Sequence, residues 1–270
     1  MSAIETGCVT VRRKVVCLDL TKEADRITGV RTDHGVVKGS LIIIATGARS
    51  ALRDKYFQIH SNYRYRTEFL NVHCSLIDQF ASAAYYVLGP QGVMIMVPLP
   101  HGEMRIGLQF DVRGNSQLKT PEELAGIIRS RLATFPTSQF RMLGSTTYHL
   151  SRILCSPFWI PGAVLIGDAA HTTHPAGGQG MNLAFQDAEC LAEQLGKAGL
   201  APSAVDKACA LYMSNRWGQV RRVLARTHFL GLMGAVSHPL YTSVRECALK
   251  LADRSSVLKR WVFRRIADVC

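Results

Sequence analysis

Two short runs, "LIIIA" at residues 41–45 and "AVLI" at 163–166, are apolar without alternation. Such continuous hydrophobicity predicts strands covered on both faces, as in the centre of an α/β sheet. Between them the period changes to two. "YRYRTEFLNVHCSLI", "AAYYVLG", "GVMIMVPLP" and "EMRIGLQF", parted by turn residues such as "GPQG" and "PHGE", predict an antiparallel sheet from about Tyr63 to Phe110. Ahead of the first run, "CVTVRRKVVCLDL" alternates, and "ADRITGV" reads as a short strand before a turn at "TDHG". Helical spacing appears in "TPEELAGIIRSRLATF", with Thr120 as N-cap and Pro121 in the first turn. It returns in "GMNLAFQDAECLAEQLGKAGL", where Leu183, Ala184, Ala188, Leu191 and Leu195 share one side and the helix ends near Gly196 or Gly199. Beyond Pro202 the pattern predicts two or three helices interrupted around "SHPLY". No repeat or linker separates the lobes, which are therefore interleaved: 1–55, 56–155, 156–200 and 201–270.

Composition narrows the class. A length of 270 residues with 47% hydrophobic positions supports a substantial core. The net charge of +12 raises the question of nucleic acid, but the excess is uneven and no aromatic and basic stripe accompanies it, so nucleic-acid binding is set aside. Eight scattered cysteines form no C-x-x-C pair and no Cys/His cluster at zinc spacing, which predicts buried thiols in a reducing compartment and no metal. The N-terminus lacks the apolar core of a signal peptide, and no run approaches the ~18 apolar residues of a transmembrane segment. The expectation is a cytoplasmic protein.

The chemistry concentrates in "GDAAHTTHPAGGQG", residues 167–180. A carboxylate at the end of a buried strand, Asp168, stands where α/β sheets bind ligands and accepts from ligand hydroxyls. Pro175 stiffens the loop, while Gly177, Gly178 and Gly180 let backbone approach a flat ligand. The following helix then aims free N–H groups and a partial positive charge at that ligand. His171 and His174 have no metal partner at useful spacing and no recognisable acid beside them, so both read as structural.

With Gly167, Asp168, His171, Pro175, Gly178, Gly180, Asn182 and Asp187 at their spacing, the segment resembles the flavin-contacting motif of the class A flavoprotein monooxygenases, the para-hydroxybenzoate hydroxylase-like family. The resemblance implies an α/β fold: a partial FAD-binding Rossmann-like domain with an inserted antiparallel-sheet substrate domain and C-terminal helices. It implies FAD as cofactor, NAD(P)H as reductant, and hydroxylation of an aromatic or polyketide-like substrate by O2 through a flavin C4a-hydroperoxide. Gly167, Asp168, Pro175, Gly177, Gly178, Gly180, Met181 and Asn182 would contact the cofactor, Asp168 through the ribityl chain and Pro175 near the reacting edge of the ring. The cofactor carries the hard chemistry, so no acid, base or nucleophile is singled out as catalytic.

"LIIIATGARSALR" is similar to the family's Asp-Gly motif near the FAD pyrophosphate, which places Gly47 and Arg49 in the cofactor site beside Ser50 and Arg53. Thr46 stands where the family has aspartate, and the other reading of Arg49 and Arg53 is solvated surface. Tyr85, Met94, Met96 and Gln109 lie near strand ends of the substrate lobe but read first as core or exposed face. The arginines of "LYMSNRWGQVRRVLARTHF" read as a solvated face, with peripheral membrane contact as the lesser option.

No G-x-G-x-x-G unit occurs in these residues, so the resemblance covers the last two-thirds or so of a family member. The expectation is an exposed hydrophobic edge on "LIIIA", with a separate N-terminal FAD-binding segment as a candidate partner. Two alternatives stay open: a flavin-dependent epoxidase of an apolar substrate, and a non-catalytic fragment that binds a partner chain or small ligand.

Overall fold

The structure is a computed structural model, which describes residues 9–89, 91–111, 120–199, 201–235 and scattered positions from 241 to 260. The chain divides into two compact units whose segments alternate. The first takes residues up to Ser61, Ile153–Thr172 and Met181–Val220; the second takes Asn62–Arg152, Thr173–Gly180 and the chain from Arg221.

In the first unit, β1 (Cys17–Glu23), β2 (Arg26–Thr32) and β3 (Gly35–Lys38) make an antiparallel meander, with Thr32 Oγ1 donating to Gly35 O at 2.7 Å across the predicted turn. A second sheet has the order β10-β11-β4, from β10 (Trp159–Ile160), β11 (Ala163–Leu165) and β4 (Ile42–Ile44). The two apolar runs are thus neighbours: β11 and β4 pair in parallel, Ala163 opposite Ile42 and Leu165 opposite Ile44. β11 is buried throughout, as its pattern predicts. β4 is not a central strand covered on both faces, because it ends the sheet and leaves Ile43 47% exposed. An isoleucine run records hydrophobicity and not how many neighbours the strand finds. α1 (Ala51–Tyr56) follows β4.

The second unit carries a five-stranded antiparallel sheet of order β6-β7-β8-β5-β9. Its strands are β5 (Ile59–Ser75), β6 (Tyr85–Gly89), β7 (Gly92–Leu99), β8 (Glu103–Asp111) and β9 (Met142–Cys155). β9 has no counterpart in the sequence expectation. One face of the sheet buries Leu70, Val72, Cys74, Met94, Met96, Met104, Ile106 and Leu108 beneath α2 (Pro121–Arg131), whose Leu124 and Ile128 are fully buried. The Thr120 side chain accepts from Glu123 N at 3.2 Å, and Glu123 Oε2 accepts from Thr120 N at 3.0 Å, a complete capping box that satisfies two orphan donors. Met94 and Met96 are core, Tyr85 packs against it, and Gln109 is bonded to Val93 N and Thr67 Oγ1 inside the sheet. On the opposite face Tyr65, Phe69 and Leu150 form a smaller cluster.

α3 (Gly180–Lys197) starts where the glycine pattern places it and ends beyond Gly196. α4 runs over Pro202–Ala235 and ends just before the expected interruption at "SHPLY", most of which lies outside the described residues. No helix among the described residues is long and apolar enough to cross a membrane.

Candidate functional site

Parallel pairing of β4 with β11 has a direct chemical result. The loops that follow them, residues 45–50 and 166–172, leave from the carboxyl ends of adjacent strands, the position at which α/β sheets bind ligands. After β11 the chain tightens into a 3-10 turn, Gly167–Ala169, with Gly167 at φ +59°. Asp168 projects from this turn and is exposed, and its carboxylate accepts no hydrogen bond from the described residues. Partial desolvation raises its pKa above the ordinary value, opposed by the neighbouring His171.

The turn is held from below by a buried carboxylate. Asp187 of α3 is fully buried, and it accepts from Gly167 N at 2.9 Å, His171 Nε2 at 2.6 Å and Arg216 Nε of α4 at 2.8 Å. Burial alone would raise its pKa, but the bonds from His171, Arg216 and Gly167 prevail and hold it below the usual carboxylate value. Arg216 also donates to Gln186 Oε1 at 3.2 Å and to Gln219. With a carboxylate on Nε2, that nitrogen carries the proton, leaving His171 Nδ1 buried and unpaired. His171 does have an acid partner, 16 residues away.

The β4 loop carries Gly47 and Arg49. Gly47 sits at φ +78°, with no atom within 4 Å of where a Cβ would stand. Arg49 is exposed and makes no hydrogen bond or ion pair with described residues. Thr46, in the place of the family's aspartate, shares a hydrogen bond with Ser50, whose side chain caps α1 by accepting from Arg53 N at 3.2 Å. Arg53 is not solvated surface: it is 2% exposed, donates through Nε to Asp54 at 2.8 Å, and leaves one terminal nitrogen buried without a partner.

Pro175 and the glycines fall in the short segment assigned to the second unit. Pro175–Gly177 forms a 3-10 turn ended by Gly178 in the left-handed region at φ +62°, where a side chain would be strained. The nearest atom to a Cβ at Gly178 would be Tyr86 Oη at 3.8 Å, so this backbone borders open space. Gly177 is buried against Thr227, whose Cγ2 would stand 2.8 Å from an added Cβ. α3 then opens at the half-buried Gly180, with Met181 68% exposed and Asn182 exposed. Among the described residues no cluster suited to a metal ion is found.

Comparison with known proteins bears on these loops. The sequence model of a family described as an FAD binding domain matches residues 1–227. A ubiquinone biosynthesis monooxygenase, COQ6, of Schizosaccharomyces pombe is 30% identical over 162 residues, covering 59% of this chain and 31% of its own length. The 3-demethoxyubiquinol 3-hydroxylase of Escherichia coli is 25% identical over 237 residues, covering 83% of this chain and 58% of its own. The chain thus spans between about a third and three-fifths of these two relatives. In structure, p-nitrophenol 4-monooxygenase PnpA of Pseudomonas putida superposes with a TM-score of 0.75 at 20% identity, covering 94% of this chain and 66% of that one, a likeness of fold.

Proposed function

This chain belongs to the FAD binding domain family of the class A FAD-dependent monooxygenases, and on that premise we propose that it is the part of such an enzyme that holds the flavin ring and the substrate. The reaction is hydroxylation of an aromatic or polyketide-like small molecule, with NAD(P)H as reductant and O2 as co-substrate. One observation carries the reading: an exposed Asp168 carboxylate with no hydrogen-bond partner among the described residues, at the carboxyl end of β11, in a turn locked by Asp187.

The residues present fit FAD. In the first unit Asp168, without a hydrogen-bond partner among the described residues, suits ribityl hydroxyls and Gly47 borders open space; in the second, Gly178 likewise borders open space that a flat ring can approach. On this reading Gly167, Pro175, Gly177, Gly180, Met181 and Asn182 contact the cofactor, and Arg49, exposed and without a partner among the described residues, suits phosphate oxygens. Bound FAD supplies the redox chemistry, taking electrons from the reductant and activating oxygen for transfer to the substrate. This chain's own part is to bind, to orient and to exclude water. A cytoplasmic setting is part of the proposal, resting on the scattered thiols; the fission yeast relative is a mitochondrial protein by its name.

The test is titration of the purified chain with FAD, followed by absorption and by quenching of flavin fluorescence. Micromolar binding that Asp168→Ala weakens by about ten- to a hundredfold supports the reading. Absence of binding, both alone and with a supplied G-x-G-x-x-G segment, overturns it.

A further inference from the structure

In the first unit α4 carries two buried side chains, Tyr212 and Arg216, that the proposed function leaves unused. Four residues apart, they share one face of the helix. The Tyr212 hydroxyl donates at 3.2 Å to the carbonyl of Leu165, the last residue of β11. Arg216 acts just beyond, on the turn that follows the strand, and does so through Asp187. α4 thus holds the end of β11 directly and the turn after it at one remove.

The Asp187 carboxylate is divided between these neighbours. Its Oδ2 accepts from Gly167 N at 2.9 Å and His171 Nε2 at 2.6 Å, while its Oδ1 accepts from Arg216 Nε at 2.8 Å. A carboxylate is flat, so a partner that fixes Oδ1 also fixes where Oδ2 points. Arg216 is itself fixed: Nη2 donates to Gln186 Oε1 at 3.2 Å and to Leu183 O at 3.4 Å, Nη1 donates to Gln219 Oε1, and Gln219 Nε2 donates to Gln186 Oε1 at 2.9 Å. Phe158 backs the His171 ring with centroids 5.9 Å apart and packs on Tyr212 at 6.1 Å. A cation placed only to neutralise Asp187 needs none of the bonds to Gln186, Gln219 and Leu183. A planar fork that must hold one orientation needs them all.

We propose that Arg216 is a positioning residue for the cofactor: with Gln186 and Gln219 it sets the plane of the Asp187 carboxylate, which fixes the turn at Gly167 and with it the aim of the Asp168 side chain. It touches no ligand itself. Gly167 sits in the left-handed region at φ +59° and Asp168 is the next residue, so any change in the hydrogen bond to Gly167 N is felt at once by the exposed carboxylate. The inference deepens the proposed function and rests on it for the identity of the ligand, FAD.

The experiment is a double-mutant cycle on the full chain, with FAD affinity read by quenching of flavin fluorescence in the wild type, Asp168→Ala, Arg216→Lys and the double variant. Amide hydrogen exchange of the ligand-free proteins over residues 163–172 and thermal melting run in parallel. Arg216→Lys keeps the charge and removes the fork. It is expected to weaken FAD binding about fivefold or more, and to shrink the cost of Asp168→Ala from about tenfold or more to less than about threefold, because a carboxylate that is no longer aimed has little left to lose. Exchange is expected to rise over 163–172 and to stay unchanged in the β1–β3 meander of the same unit. A merely structural role gives a different result: Asp168→Ala costs the same factor in both backgrounds, or exchange rises throughout the unit in step with a lowered melting temperature. Either outcome overturns the inference. Gln219→Ala leaves Arg216 and Asp187 in place, removes one holder of the fork, and carries the same test with a smaller effect if Arg216→Lys does not fold. A wild type that binds no FAD, alone or with a supplied G-x-G-x-x-G segment, rejects the monooxygenase reading. Exchange then decides alone: a rise confined to 163–172 supports the hold of Arg216 on the turn, and its absence overturns it.

Discussion

His171 and His174 lie in one loop, 1% and 0% exposed, yet their surroundings differ in kind. The proton-bearing nitrogen of His171 ends on the Asp187 carboxylate, which also takes Gly167 N–H and Arg216. The corresponding nitrogen of His174 ends on nothing in the described protein. Asp168, beside the satisfied group, is unsatisfied in the opposite sense, as an exposed acceptor. Within this stretch the fold supplies a partner for His171 Nε2 but, among the described residues, none for His174 Nε2 or the Asp168 carboxylate. Sequence spacing does not make that distinction; the hydrogen-bond inventory does.

The contrast breaks first at Asp187. Asp187→Ala leaves Arg216 and His171 buried without their acceptor, and chemical denaturation should show a loss of about 3–5 kcal/mol. Asp168→Ala should leave folding stability within ~0.5 kcal/mol, as for an unpartnered surface position, but weaken FAD binding by about 1.5–3 kcal/mol in a fluorescence titration. If stability falls instead, Asp168 belongs with the satisfied groups. Gly231→Ala forces a methyl against the His174 ring, and overpacking of this kind predicts about 1–3 kcal/mol of destabilisation on a melting curve. A further effect is in pH. The folded state holds His174 near pKa 4 against an ordinary 6.5, so the unfolded chain binds more protons between those values. Stability is full above pH 6.5 and falls as pH drops toward 4, by at most ~1.4 kcal/mol per unit from this group. His174→Phe should flatten that part of the stability profile; an unchanged slope would show that the imidazole is not held neutral by burial.

Local features were legible because they are written in adjacent residues. Thr120 and Glu123 announce a capping box, and the glycines before α3 announce its start. β9 was missed because "STTYHLSRILC" alternates weakly and mixes hydroxyl, aromatic and basic side chains on a strand whose burial is partial for most of its length. Arg53 was read as a solvated alternative because nothing beside it in the sequence reports its burial. Asp187 lies 16 residues from His171 and 29 from Arg216, and only the packing of α3 and α4 brings the three together. The Tyr65 to His228 contact, across 163 residues, lies further still beyond any spacing rule.

The alternation of segments between the two units has a kinetic consequence. The first unit joins residues before Ser61 to residues after Ile153, so its sheet closes over a loop of some ninety residues that belong to the other unit. Such non-local closure is slow relative to helix or hairpin formation. On the ribosome, β4 is made long before its partner β11 and waits with an unpaired apolar edge until synthesis has passed Leu165. Chaperone demand during translation should therefore peak over that interval, and ribosome-bound chains arrested before β11 should be more prone to aggregation than chains arrested after α3.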